Sequence, residues 1–247
     1  NSDPLKYFAS DVPVRVADEF AEQHLGGQQS LEIMIDSGSP EGIKDPEFLR
    51  KADEFQTWLE AQPYVSKTIS LLNILKDTNG ALNGGTQDQY KLPASREWAA
   101  QELFVYTMSM PQGMDLNNRM TIDNRSIRLT ALSTLHDSNT VLAEITLIEN
   151  KAKELGVDAQ VTGKTLLGHS VNPLVVNSFI SSIAIAFFII AVFLTLVFRS
   201  IKLGLLSMVP NVIPLFLGAA VMSLLNKPLD VGTVLVASTC LGIAVDD

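Results

Sequence analysis

The sequence predicts an α+β domain of two βαβ, ferredoxin-like subdomains, followed by an α-helical transmembrane bundle. Within residues 30–165, short segments of alternating apolar residues are twice followed by apolar residues at helical spacing. From residue 166 to 247, long apolar runs replace this pattern. Residues 1–29 form a lead-in with a short predicted helix from Val14 to Leu25, which Gly26-Gly27 ends.

The charges of the 247-residue chain are unevenly distributed, and its net charge is −9. All but three of the 27 acidic residues and all but three of the 18 basic residues precede residue 171. No charged residue occurs from Thr165 to Phe198. This asymmetry predicts a water-exposed acidic domain attached to a membrane region. An acidic domain without a Lys/Arg cluster also argues against nucleic acid as a partner.

The first βαβ unit begins with a strand in which Leu31, Ile33 and Ile35 alternate with other residues. Asp45-Pro46 predicts the start of a helix, with Asp as the cap and Pro in the first turn. The apolar face of that helix comprises Phe48, Ala52, Phe55 and Leu59. The closing strand is predicted from Val65, Ile69 and Leu71.

The second βαβ unit repeats this order. Its first strand contains Ile127, Leu129 and Ala131. Its helix is capped at Ser138-Asn139, ends at Gly156 and has an apolar face of Val141, Ile145, Ile148, Ala152 and Leu155. The last strand covers residues 158–162.

The insertion between the units, residues 72–124, contains a predicted helix from Ser95 to Met110. We expect Trp98, Leu103, Phe104 and Tyr106 of this helix in the core. Asn79-Gly80 predicts a turn.

Three membrane spans are predicted, at 174–198, 203–225 and 231–247. The first is long enough to cross about 30 Å of hydrocarbon. Pro210 and Pro214 interrupt the second, where prolines often mark a kink. Arg199 and Lys202 lie between the first two spans, so the positive-inside rule places this connection in the cytoplasm and the acidic domain outside.

Asp246 and Asp247 stand at the end of the third apolar run, and two interpretations are open. The two acids could begin a solvated loop. Alternatively, they lie at membrane depth, where an ionised carboxylate needs a partner or a proton. Repulsion between neighbouring acids raises at least one apparent pKa towards neutrality, which is what coupling to a proton gradient requires.

The stretch Gly242-Ile243-Ala244-Val245-Asp246-Asp247 resembles the Gly-x-x-x-Asp-Asp motif in the fourth transmembrane helix of resistance-nodulation-division (RND) exporters. It is most similar to the MMPL-like, hydrophobe/amphiphile branch, which is related to the sterol-sensing domain. Residues 1–8 resemble the segment after the first helix of that branch. The resemblance extends over the whole chain in order, so we expect a fragment that runs from the first external loop to the start of helix four.

This resemblance implies a periplasmic porter domain of two subdomains, in a complete protein of twelve helices with a second external domain. Asp246 and Asp247 would be the proton relay, Gly242 a helix-packing residue, and the partner of the acids would lie on a later helix. The implied function is export of hydrophobic or amphiphilic molecules, such as lipids or drugs, across the inner membrane. Membrane lipids would be partners and the proton gradient the energy source, without a cofactor. Assembly into a homo-oligomer is left open.

Three alternatives differ in the features that they require. A SecD/SecF-type translocation subunit has a helix resembling Val-Asp-Ala-Asn, whereas Val245-Asp246 is followed here by Asp247. A Patched- or Niemann-Pick-type sterol transporter usually has a disulfide-rich external domain, and the single Cys240 lies in the apolar part. A membrane-anchored extracellular binding or sensor module, or an enzyme with an anchor, needs a functional constellation in the soluble part.

The soluble part offers no such constellation at sequence level. His24, His136 and His169 are far apart and lack the carboxylate or cysteine spacing of a metal site, so no metal is expected. Neither a Gly-x-Ser-x-Gly elbow nor a phosphate-binding loop occurs. We therefore expect a transporter and not an enzyme.

Overall fold

The computed structural model describes residues 8–27, 29–111, 115–224 and 232–233. The chain divides into two compact units. The larger, Pro4–His136 with Thr140–Leu167, contains the four described strands and is called the α/β unit. The smaller consists of Gly168–Asp247 with Asn1–Asp3 and Asp137–Asn139 and is called the helical unit.

Helices and strands follow one another largely as predicted. The strands are β1 (Gln29–Asp36), β2 (Val65–Ile69), β3 (Ser126–Ser133) and β4 (Asp158–Thr162). The helices are α1 (Pro13–Leu25), α2 (Pro46–Glu60), α3 (Leu71–Leu82), α4 (Arg96–Ser109), α5 (Ser138–Glu154), α6 (Gly163–Phe198), α7 (Ile201–Leu206) and α8 (Val209–Leu224). Short 3-10 helices cover Gly42–Lys44 and Gln87–Gln89.

The four strands form one antiparallel sheet in the order β2-β3-β1-β4. The two βαβ units therefore interleave in one split βαβ sheet, so the predicted ferredoxin-like arrangement is confirmed, whereas the predicted division into two subdomains is wrong. The reason lies in the strands themselves. The eight-residue strands β1 and β3 take the centre of the sheet, while the five-residue strands β2 and β4 take the edges. Short edge strands limit the exposure of unpaired backbone groups.

One face of this sheet carries the core. Alternation along β1 turns Leu31, Ile33 and Ile35 to this face, where each is at most 1% exposed. These side chains belong to one buried cluster with the predicted apolar faces of α2 and α5. The other members of the cluster from α2, α5, β3 and β4 are Leu49, Ala52, Phe55, Leu59, Ile127, Leu129, Ala131, Val141, Ile145, Ile148, Ala152, Ala159 and Val161.

The insertion departs from the sequence prediction. Leu71 begins α3 and does not end β2, because Ser70 caps the helix by accepting from the Leu72 amide at 3.1 Å. Asn79-Gly80 lies inside α3 and not in a turn. The Asn79 side chain donates to the carbonyls of Gln89 and Lys91 at 3.1 and 3.0 Å. These tertiary hydrogen bonds override the local turn preference of the pair.

Helix α4 is capped at Ser95, whose hydroxyl accepts from the Trp98 amide at 3.2 Å. Only one of the four residues that we expected in the core from this helix is fully buried, namely Leu103. Trp98 and Phe104 are 41% and 64% exposed, and Tyr106 is half-buried. The expectation failed because the sequence does not reveal which side of α4 faces α3.

All residues of the predicted first span, 174–198, lie within α6 and within the helical unit. Among the described residues, α6 is the one helix that is long and apolar enough to cross a membrane. The predicted second span corresponds to α7 and α8, which are separated at Ser207-Met208, just before Pro210. Apart from Gly232 and Thr233, the third predicted span lies outside the described residues.

Helix α7 packs closely on the end of α6. A Cβ at Gly204 would lie 2.8 Å from the Thr195 Cα, so only glycine permits this approach. Arg199 adopts a positive φ of 51° between the two helices, and the Ser200 hydroxyl accepts from the Leu203 amide at 3.5 Å. The turn at the predicted basic connection is thus set by close packing and a helix cap.

The α2 cap generates the first testable prediction. Asp45 Oδ1 accepts from the amides of Glu47 and Phe48 at 2.8 and 3.4 Å. Asp45→Ala removes both bonds and should lower the free energy of unfolding by about 1 kcal/mol. Urea denaturation followed by the fluorescence of Trp58 and Trp98 measures this loss. Asp45→Asn keeps a capping oxygen and should cost much less, so an equal loss in both variants would contradict the assignment.

Candidate functional site

The predicted proton-relay acids Asp246 and Asp247, and the packing residue Gly242, lie outside the described residues. Their location and role therefore stay predictions. The described part of the chain contains a different feature with functional potential, on the sheet face opposite the core.

A cavity of about 1030 Å³ opens on this face of the α/β unit, and we call it the sheet groove. Side chains that alternate with the core residues of β1 and β3 form its floor. The segment 117–123, before β3, forms its wall and is called the wall segment. The end of β4 and the start of α6 also line the groove. The residues used below are Ser30, Glu32, Met34, Met120, Ile122, Arg128, Thr162, Gly163 and Lys164.

Glu32 is the centre of the polar floor. Arg128 Nε donates to Glu32 Oε2 at 2.6 Å, and Thr130 Oγ1 donates to the same oxygen at 2.7 Å. Ser30 Oγ donates to Oε1 at 3.1 Å. Burial alone would raise the pKa of Glu32, but the hydrogen bonds and charge of Arg128 and the hydroxyl bonds outweigh it, so its pKa lies below the usual value. Glu32 is therefore a fixed anion whose charge Arg128 balances.

Exposed apolar side chains adjoin the polar floor of the sheet groove. Met34 on β1 is 40% exposed, and Ile122 is 89% exposed. The wall segment is held against β3, because the Arg128 amide donates to the Arg119 carbonyl at 2.8 Å and the Thr121 amide donates to the Ser126 carbonyl at 3.0 Å. A charged floor beside exposed apolar side chains matches a ligand with one polar and one apolar end.

Gly163 joins the sheet groove to α6 without a connecting loop. β4 ends at Thr162 and α6 begins at the next residue. Gly163 has a φ of 92°, and a Cβ there would lie 2.9 Å from Glu32 Cγ. Both the conformation and the close approach require glycine. The first turn of the longest helix therefore lies directly against the charged floor.

A second cavity of about 790 Å³ lies at β2 and α3 and has a more polar lining, including Lys67, Asp77 and Arg119. It shares Asn118 with the sheet groove. Its residues do not converge on one charged centre as those of the sheet groove do.

The three histidines have separate environments. The His24 ring stacks on Phe20, with ring centroids 4.1 Å apart. His169 Nδ1 lies 2.9 Å from Ser138 Oγ, and the two residues are buried, with 7% and 2% of their surface exposed. His136 differs, because folding places it beside Asp18 and Glu22 of α1. These three could hold a metal ion, which the sequence spacing did not reveal.

Glu102 of α4 is a buried carboxylate that the sequence analysis did not identify. It is 1% exposed, and neither carboxylate oxygen has a hydrogen-bond partner among the described residues. Burial raises the pKa of Glu102 to about 7, and the nearby Trp98 opposes only part of this shift. The Trp98 indole itself donates to Asn79 Oδ1 at 3.2 Å. A carboxylate with such a pKa makes stability sensitive to pH near neutrality.

The comparisons with known proteins give no assignment: no protein-family profile matches the chain, and no curated protein is significantly similar to it.

Glu102 generates the second prediction. Because the pKa of Glu102 is higher in the folded protein than its ordinary value of 4.5, the folded state binds the proton more tightly. Protonated Glu102 therefore adds up to about 3 kcal/mol to the free energy of unfolding. This contribution is fully present below pH 4.5 and is lost as the pH rises through about 7. Glu102→Gln should therefore gain stability relative to the parent as the pH rises from 5 to 8.

Urea denaturation of both proteins across this pH range tests the prediction. Glu54→Gln, at an exposed position of α2, is the control and should show the same pH dependence as the parent. A parallel pH dependence in Glu102→Gln and the parent would contradict the role of Glu102.

Proposed function

We propose that the chain is part of a proton-driven exporter of the RND type, of the MMPL-like branch, that moves hydrophobic or amphiphilic molecules across the inner membrane. The observation that carries this proposal is α6, an apolar helix that continues directly from the strand at the sheet edge. The acid pair supports the coupling of transport to protons. The sheet groove supports an amphiphilic cargo.

The exposure of α6 supports a membrane location. The helix has 36 residues and is about 54 Å long, which exceeds the hydrocarbon thickness. A long apolar helix in the core of a soluble protein is buried, whereas none of the most apolar 18-residue window of α6 is buried by the described part of the chain. Phe188, Phe193 and Leu196 are each at least 63% exposed. Lipid satisfies such a surface and water does not.

The basic residues support an orientation. Arg199 and Lys202 follow α6, so this connection belongs in the cytoplasm, and the α/β unit, which precedes α6, belongs on the periplasmic side. In that position, the sheet groove would collect or pass cargo outside the membrane.

The acid pair supports coupling to protons. Asp246 and Asp247 follow an apolar run, and at membrane depth two adjacent carboxylates cannot both ionise cheaply. The acid pair would take up a proton from one side of the membrane and release it to the other, which would drive the transport cycle. Gly242 would permit close packing of this helix.

The sheet groove supports an amphiphilic cargo. The Glu32–Arg128 pair offers both charges to a polar headgroup, while Met34, Met120 and Ile122 offer apolar contacts to a chain. A groove of about 1030 Å³ has the size of a ligand pocket for a molecule of this type.

A second candidate is a membrane-anchored extracellular binding module. It is favoured by the finding that one helix of the described residues, α6, meets the criteria of length and composition for a span. Such a module would use the sheet groove but would have no need of Asp246 and Asp247. The two candidates therefore predict different effects of substitutions at the acid pair.

The third prediction concerns the acid pair. In the full-length protein, Asp246→Asn and Asp247→Asn should each reduce efflux of the lipophilic dye Nile red from energised cells to the level of cells without the protein, because neither amide titrates. Asp88→Asn, at an exposed position of the α/β unit, is the control and should retain efflux. Equal membrane levels of all variants exclude a folding defect. Full efflux in both acid variants at several pH values would favour the anchored module.

The fourth prediction concerns the sheet groove. Met34→Lys places a charge on its apolar side and should reduce efflux of the same dye several-fold. Met108→Lys is the matched control, since Met108 is 72% exposed on α4 and does not line the groove. Equal efflux in the two variants would remove the groove from the cargo path.

A further inference from the structure

We propose that Asp18, Glu22 and His136 form a binding site for a divalent transition-metal ion, which fixes α1 to the rest of the α/β unit. The proposal goes beyond transport and does not depend on it. It departs from the expectation, drawn from sequence spacing, that the chain holds no metal.

The geometry suits one ion. One ligand atom from each of the three side chains lies within 4.8 Å of the other two. Ligand atoms that lie about 2.1 Å from one ion are about 3.4 Å apart in a tetrahedral arrangement, so side-chain rotations that draw the three atoms together would close the site. His136 Nε2 already lies 3.2 Å from Glu22 Oε2.

The fold brings these ligands together from distant parts of the chain. Asp18 and Glu22 are one turn apart on the same side of α1. His136 follows β3, 114 residues after Glu22. Its loop is anchored, because the Thr134 amide donates to the Tyr64 carbonyl at 3.0 Å and the Leu135 amide donates to Ser133 Oγ at 3.1 Å. The histidine is thus presented by a fixed segment.

The charge of the cluster favours a cation. Two carboxylates face one imidazole, and within the described residues no Lys or Arg forms an ion pair with Asp18 or Glu22. The neighbouring Arg15 instead pairs with Glu19 at 3.0 Å. A divalent ion would neutralise both carboxylates.

A supporting contact exists for the histidine. His136 Nδ1 lies 3.4 Å from Nε2 of the Gln29 side-chain amide. When Nε2 binds a metal, Nδ1 carries the proton, and turning the Gln29 amide presents its oxygen as the acceptor. This second contact would fix the ring tautomer that metal binding requires.

The ligand set indicates the class of ion. One imidazole with two carboxylates suits Zn²⁺, Mn²⁺ and similar ions, whereas Ca²⁺ and Mg²⁺ prefer oxygen ligands alone. All three side chains are half-buried, which leaves room for water in the remaining coordination positions.

The consequence of binding concerns α1. Among the side chains of α1 that the structure describes, Ala21 is the buried apolar one, while Val14, Val16 and Phe20 are 49%, 50% and 58% exposed. These described side chains therefore give α1 little apolar packing. A metal shared between α1 and the loop after β3 would replace that packing with coordinate bonds.

The test uses the untagged full-length protein in detergent after treatment with EDTA. Titration with ZnCl₂ and MnCl₂ by isothermal calorimetry should show one site, and hydrogen exchange of residues 13–25 should slow when the metal is bound. Asp18→Asn and His136→Gln should each weaken binding by about tenfold or more.

Glu19→Gln and His24→Gln are matched controls on the same helix and should retain the affinity of the parent. Loss of affinity in the controls equal to that in the ligand variants overturns the proposal, as does unchanged affinity in both ligand variants. If His136→Gln fails to fold, which tryptophan fluorescence would reveal, Asp18→Asn and its control Glu19→Gln decide the question.

Discussion

The antiparallel pairing of β1 with β3 determines the rest of the α/β unit. Its register places Ile33 opposite Leu129 on the core face and Glu32 opposite Thr130 on the other face. A shift by one residue would turn every side chain of one strand to the wrong face, exposing aliphatic residues and burying Glu32. The hydrophobic core therefore sets the register, and the register in turn sets the polar floor of the sheet groove.

Features that depend on neighbouring residues were predictable from the sequence. The Asp45-Pro46 start of α2 and its buried Ala52, Phe55 and Leu59 agree with the structure. Likewise, the alternation along β1 and the bounds of β4 were predicted from local pattern. Each of these depends on hydrogen bonds or periodicity within a few positions, and such information is present in a single sequence.

Features that depend on contacts between distant segments were not predictable. The sequence contains two βαβ patterns, but nothing local specifies that β3 inserts between β1 and β2. Asn79-Gly80 has the composition of a turn, and only the carbonyls near Gln89 explain why it is helical. Glu32 was not identified from the sequence, because its pairing with Arg128 follows from the strand order. Similarly, the spacing of Asp18 and Glu22 shows from the sequence that they share one side of a helix. That His136 lies beside them becomes known only from the fold.

The junction at Gly163 joins β4 to the first turn of α6 within the α/β unit. Because β4 passes into α6 without a loop, any displacement of the first turn of α6 also moves Thr162 and Lys164, which line the sheet groove. The close approach of Gly163 to Glu32 leaves no room for a side chain at this junction. Thr162, Gly163 and Lys164 line the sheet groove, so the backbone conformation of the junction determines the shape of the groove at this end.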